Sequence, residues 1–318
     1  MRKYKLIVTF LAPFRFGFPL LSHNCWQLSL IIRADFVKYE SVLLSSWHMQ
    51  QEEFINIRRL IASKNPRLLK WLPGFLLRYI ERVVHQKDVN YFLNKYQSTN
   101  QDFCTDVLTE IGVNYTIEGI ENIPKDGKCV IVMNHPLGGM DAMILVDALK
   151  NHRTDLKFIV NDLLLNLGRL NELFVGVNKH GKNSSQSIQK VNDLFASENC
   201  VCIFPAGLVS RRKKGLIRDL TWKKTFVRQS KLNDQVIVPV FIDGHLSNWF
   251  YNLSNFRQFL GIKANIEMFY LVDELYKQKG LTVAITVGKP ILANTLSDEK
   301  SDSTHAEWFR NHIYTLND

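Results

Sequence analysis

Asn134-His135-Pro136-Leu137-Gly138-Gly139-Met140-Asp141 separates two apolar runs of different kinds. Before it stands Cys129-Val130-Ile131-Val132-Met133, short, uninterrupted and rich in β-branched side chains, as in a strand buried on both faces. After it comes Ala142-Met143-Ile144-Leu145-Val146-Asp147-Ala148-Leu149, which reads as a helix. A strand-to-helix corner in an α/β fold holds side chains on a rigid strand end while leaving the loop open to substrate. His135 takes a proton near neutral pH, and the carboxylate of Asp141 fixes its tautomer and offsets the charge that forms. The same corner holds no Ser or Cys nucleophile. The expected chemistry is therefore direct attack by a substrate group that His135 deprotonates.

Working outward, strand-like runs fall at 129–133, 157–160, 173–177, 200–204, 236–242 and 281–287, with helix-like runs at 142–150, 185–197 and 217–229 between them. That alternation predicts an α/β fold with a mostly parallel sheet and flanking helices. Upstream, residues 53–86 mix apolar side chains at helical spacing with arginines and lysines, broken at Asn65-Pro66 and Pro73-Gly74. Basic residues beside Trp71, Phe75 and Leu76 suit the headgroup layer of a membrane. The domain reading is an irregular extension over 1–48, a basic amphipathic helical region over 49–110, an α/β domain over 111–300 and a polar C-terminal segment over 301–318. Helical regularity begins near Met49, so Met49 is taken as the natural start; the rival is a membrane-facing extension.

The chain has 318 residues, 46% apolar and 22% charged, and can bury a substantial core. Its net charge of +10 calls for an anionic partner: a membrane, nucleic acid or a phosphorylated ligand. Five cysteines are scattered without metal-site spacing and read as reduced packing residues. The most apolar N-terminal run, residues 6–21, is interrupted by Pro13, Arg15 and Pro19 and falls short of a bilayer span.

Two further blocks carry information. Phe204-Pro205-Ala206-Gly207-Leu208-Val209-Ser210-Arg211 opens a segment, 211–228, with eight basic residues against Asp219 alone, seven of the chain's ten net charges. Gly207 permits close backbone approach, and Ser210 with Arg211 are candidates to bind a phosphate or carboxylate. Val236-Ile237-Val238-Pro239-Val240 is an apolar strand interrupted by proline.

These blocks, in this order, resemble the glycerolipid acyltransferase family, the lysophospholipid (1-acylglycerol-3-phosphate acyltransferase-like) group, and within it the bacterial hemolysin-like branch. The resemblance covers about residue 54 to about residue 291. It implies transfer of a fatty acyl chain from an acyl carrier protein (ACP) or coenzyme A (CoA) thioester to the hydroxyl of a lysolipid. The broad family points to lysophosphatidic acid, the branch also to lyso-aminolipids bearing ornithine or glycine. No metal or bound cofactor is implied, and the place of work is the cytoplasmic face of an anionic membrane. His135 would be the general base and Asp141 its partner; Asn134, Gly138, Gly139, Gly207, Ser210 and Arg211 would line the substrate site. Lys179, in Leu173-Phe174-Val175-Gly176-Val177-Asn178-Lys179, would stand where the family has an arginine.

The chain departs from the family pattern twice. Five residues rather than four separate His135 and Asp141, and Gly138 and Gly139 are there to absorb the extra one. Ala206 also replaces a glutamate before Gly207, which leaves the head group open. A nucleic-acid-binding protein is the rival class, but the basic segment offers only Trp222 and Phe226 for base stacking. A membrane scaffold without catalysis is the third reading.

Overall fold

The computed structural model describes residues 53–161, 164–165, 168–177 and 184–316. The readings made for residues 1–48, for Met49 as the start and for Lys179 lie outside these residues. Glu52–Asp318 form one compact unit, so the helical region, the sheet and the C-terminal segment share one body.

Five helices lead in: α1 (Ile57–Lys64), α2 (Pro66–Trp71), α3 (Gly74–Val83), α4 (Gln86–Lys95) and α5 (Asn100–Ile111). The breaks fall where the sequence places them. Asn65 ends α1 and caps α2 by accepting from the Leu68 N–H, with Pro66 in the first turn.

The sheet then builds from β1 (Asn114–Glu118), β2 (Cys129–Met133), β3 (Leu156–Asn161), β4 (Phe174–Val177), β5 (Cys200–Ile203), β8 (Val236–Ile242), β9 (Thr282–Val287) and β10 (Ile291–Leu292). A separate hairpin pairs β6 (Arg211–Lys213) with β7 (Leu216–Arg218). Strand order is β1-β9-β8-β2-β5-β3-β4, with β10 also on β8. β8, β2, β5, β3 and β4 run parallel; β9 and β10 both pair antiparallel with β8, and β1 is parallel to β9. The mostly parallel sheet read from the sequence is the one observed.

β2 sits at the centre, and every one of its residues is buried. Side chains alternate between faces along a strand, and here each face meets its own core. Cys129, Ile131 and Met133 pack with α5 and with α6 (Gly139–Leu149), while Val130 and Val132 pack on the other side. That second core takes in Phe226 of α8 (Thr225–Leu232) and Ala306, Phe309 and Ile313 of α11 (Asp302–Ile313). The C-terminal segment thus buries one helix face and is not polar throughout.

The run 217–229 is not one helix. Lys214 and Gly215 both take positive φ, 49° and 83°, which closes a two-residue hairpin loop between Lys213 and Leu216. The helix starts only at Thr225. Sequence pattern also missed β1, an edge strand with alternating exposure, α9 (Asn248–Phe259) and α10 (Leu271–Lys277). The remaining helix, α7 (Ser184–Ala196), lies where expected.

Candidate active site

The site forms where the loops leaving β2, β5 and β8 meet. Asn134, the first residue past β2, is fully engaged: its amide donates to the Ile242 carbonyl and accepts from the Ile242 N–H, both at 2.8 Å. This double clamp ties the ends of β2 and β8 together. Asn134 is 2% exposed, so its role as a substrate ligand is corrected to that of a strand-end clamp.

His135 follows, held on both sides of its peptide backbone. Its N–H donates to Asp219 Oδ1 at 3.1 Å, and its carbonyl accepts from the Ser210 N–H at 2.8 Å. The ring lies over Phe204, the residue after β5, with centroids 4.0 Å apart and planes tilted by 23°. Nδ1 is 2.9 Å from Asp141 Oδ2. Nε2 has no hydrogen-bond partner among the described residues, and the side chain is partly exposed. With Asp141 ionised, the proton sits on Nδ1 and the Nε2 lone pair faces outward.

Asp141 lies in the first turn of α6 and is wholly buried. It also accepts from the Leu137 N–H, which closes the loop on itself. Burial pushes its carboxyl above the usual range, partly opposed by the bonds from His135 and Leu137. The extra residue between His135 and Asp141 is absorbed at Gly138, whose φ of 75° and ψ of −133° belong to glycine alone. A Cβ there would meet Val209 and Leu271 at 3.4 Å, so the backbone angle rather than space demands glycine. Gly139 is helical and faces open space, and no side chain caps the helix; the Asp141 N–H donates to the Gly138 carbonyl at 3.1 Å, which leaves the Gly139 and Met140 N–H groups as candidates to meet a developing oxyanion.

The second block is arranged differently from the sequence reading. Ser210 is 1% exposed, and its hydroxyl donates to Asp219 at 2.6 Å. Arg211 is 3% exposed, with one guanidinium nitrogen on Glu267 at 2.9 Å and the other on the Val209 carbonyl at 2.7 Å. Arg257 grips the same Glu267 at 2.8 Å, so the three side chains form a buried Arg–Glu–Arg cluster. Burial lowers the Arg211 pKa, against the pull of Glu267. Both residues are corrected from acceptor ligands to supports of the loop, because their donors are spent inside the protein. Gly207 is exposed at the turn with φ 67°, its N–H bonded to the Phe204 carbonyl.

Sequence reasoning missed Asp219 and Phe204 as site residues. Asp219 stood out only as the lone acid in a basic run. Its buried carboxylate accepts from the His135 N–H, the Ser210 hydroxyl and the Trp222 indole N–H at 2.8 Å. Its own backbone is anchored to the chain's end: its N–H donates to the Tyr314 hydroxyl, and its carbonyl accepts from Arg310. Burial raises its pKa too, and the three donors oppose that. One aspartate therefore joins the histidine loop, the β5 loop and the C-terminal segment.

A histidine held by a buried carboxylate at a parallel strand end, with no Ser or Cys in the same corner, is an arrangement able to take a proton from a substrate group. The chain belongs to the acyltransferase family, whose family model matches residues 59–318. It is 40% identical over 264 residues to the lyso-glycine lipid O-acyltransferase of Bacteroides thetaiotaomicron, covering 82% of this chain and 97% of that one. To the enzyme of the same name from Phocaeicola vulgatus it is 39% identical over 264 residues, covering 82% and 95%. Among solved structures it is similar to the 1-acyl-sn-glycerophosphate acyltransferase PlsC from Thermotoga maritima, with a TM-score of 0.44 and 16% identity over 76% of this chain and 92% of that one.

Proposed function

We propose that the protein is a lysolipid O-acyltransferase whose acceptor is a lyso-glycine lipid or a closely related lyso-aminolipid. The single observation behind the reaction is the His135–Asp141 pair, with Nε2 left free to act on substrate. The acceptor class rests on the two relatives, both named for lyso-glycine lipid and matched over nearly their whole length.

In this reading Nε2 of His135 removes the proton from the acceptor hydroxyl as that oxygen attacks the carbonyl carbon of an acyl thioester. The new C–O bond forms, the C–S bond breaks, and the proton passes from Nε2 to the departing thiolate. Asp141 keeps Nδ1 protonated and offsets the imidazolium charge. Phe204 holds the ring plane. A positioned base supplies ~10²–10⁴-fold; the N–H groups opening α6 and the alignment of the two substrates supply the rest. The donor is an ACP or CoA thioester. The setting is the cytoplasmic side of a membrane, where the lysolipid resides; among the described residues no helix is long and apolar enough to cross it.

The test is direct. Wild type and His135→Ala are incubated with radiolabelled acyl-ACP or acyl-CoA and a panel of lyso-glycine lipid, lyso-ornithine lipid and lysophosphatidic acid. Diacylated product from lyso-glycine lipid is expected, with a loss of ~10²–10⁴-fold in the variant. Product only from lysophosphatidic acid would overturn the acceptor, and no product with any acceptor would overturn the reaction.

A further inference from the structure

Helix α9 carries aromatic side chains on both its inner and its outer face. Inward it sends Phe250, Tyr251, Ser254 and Arg257, all buried. Outward, at the same helical face, it sends Trp249, Phe256 and Phe259, which are 54%, 60% and 85% exposed. Leu260 and Ile262 continue that exposed stripe past the helix end. A stripe of this kind normally marks a surface that meets something apolar.

The stripe is not isolated. The Tyr79 hydroxyl of α3 bonds to the Tyr270 hydroxyl, and the Trp249 ring meets Tyr270 edge-on at 6.1 Å. Tyr270 is thus touched both by α3 and by the start of α9, and on the α2–α3 side Phe75 and Trp71 are 69% and 86% exposed. Two segments far apart in sequence are therefore bridged through one tyrosine.

Charge selects the occupant. Between Glu53 and Glu81 the chain has six Lys and Arg residues and no acid, and between Asp243 and Glu267 it again has no acid. A second copy meeting through α2–α3 would set basic residues against basic residues. Lipid headgroups of negative charge match both the arginines and the aromatic rings, which settle at the headgroup boundary.

We propose that the outward face of α9 is a second docking element for an anionic bilayer, acting together with the basic α2–α3 region through their shared contact at Tyr270. This rests on the membrane-borne acceptor of the proposed function, but it is tested without any turnover. The full chain is floated with vesicles of phosphatidylglycerol and phosphatidylcholine, and with phosphatidylcholine alone. Wild type is expected to float with the anionic vesicles and to be released by salt. Phe256→Ser/Phe259→Ser and Trp71→Ser/Phe75→Ser are each expected to lower the bound fraction about tenfold. All four positions are exposed, so thermal midpoints should stay at the wild-type value.

Undiminished flotation of the α9 variant would overturn the two-segment surface. So would a wild-type dimer in sedimentation velocity that the α9 variant dissolves while vesicle binding is kept; that result assigns the stripe to a second copy. Acyl transfer to a soluble short-chain acceptor is measured separately, so a failed reaction and a failed surface give different results.

Discussion

The loops leaving β2 and β5 stand side by side on neighbouring parallel strands, yet they use their polar residues in opposite ways. The β2 loop sends a histidine ring to the edge of open space and places its carboxylate behind it. The β5 loop carries the denser charge in sequence, but it turns Ser210 and Arg211 inward, onto Asp219 and Glu267. Charge density alone thus did not reveal which loop faces substrate. What separates the two is the availability of buried partners, and those partners are remote in sequence.

Asp141→Asn tests the first half of this contrast and should have the largest effect. Loss of the orienting carboxylate is expected to lower kcat by ~10²–10⁴-fold. Stability should move the other way with pH. Burial lifts the folded carboxyl of Asp141 above its unfolded value near 3.9. Such a group favours the fold fully below the unfolded pKa and loses that contribution as pH rises through the folded pKa. The variant should therefore gain on wild type in denaturant midpoint between pH 4 and pH 7. A constant gap across that range would show that the buried carboxylate costs the fold nothing.

Glu267→Gln addresses the β5 side. Removing one member of a buried ionic cluster leaves Arg211 and Arg257 facing each other without compensation, at a cost of about 3–5 kcal/mol. Urea unfolding reads this directly. Arg211→Met sharpens the point, since Arg257 still neutralises Glu267. Its KM for the lysolipid should match wild type. A raised KM with unchanged stability would make Arg211 an acceptor ligand after all and break the contrast between the loops.

The same contrast explains how far the sequence could be read. β2 and the His135–Asp141 pair were legible because their signals are local: a five-residue buried strand, a glycine able to take φ 75°, and a carboxylate six residues from the histidine. The parallel core strands were legible because burial on both faces makes them continuous apolar runs. The 211–218 hairpin went unread, and its last two residues were taken into the helix-like run 217–229, because Lys214 and Gly215 carry no strong hairpin signature beyond one glycine. β1 is an edge strand of alternating exposure and left little trace. Ser210 and Arg211 looked free because Asp219 lies nine residues beyond Ser210 and Glu267 lies 56 beyond Arg211.

Asp219 is where the two loops meet, and its replacement gives the smallest but most specific effect. It touches no open space and so acts through others: it fixes the His135 backbone, the Ser210 hydroxyl and the Trp222 indole at once. In Asp219→Asn the amide presents donors where it needs to accept, and the Trp222 N–H or the Ser210 hydroxyl loses its partner. The His135 backbone then shifts, and a displacement on the order of 1 Å costs roughly 10²-fold in kcat, with KM for both substrates little changed. A positioning role predicts more than a loss. If Asp219 acts through His135, adding Asp219→Asn to His135→Ala should remove almost nothing further, because the group being aimed is already gone. Full additivity of the two losses would instead make Asp219 a general support of the fold, and the meeting of the loops would carry no catalytic meaning.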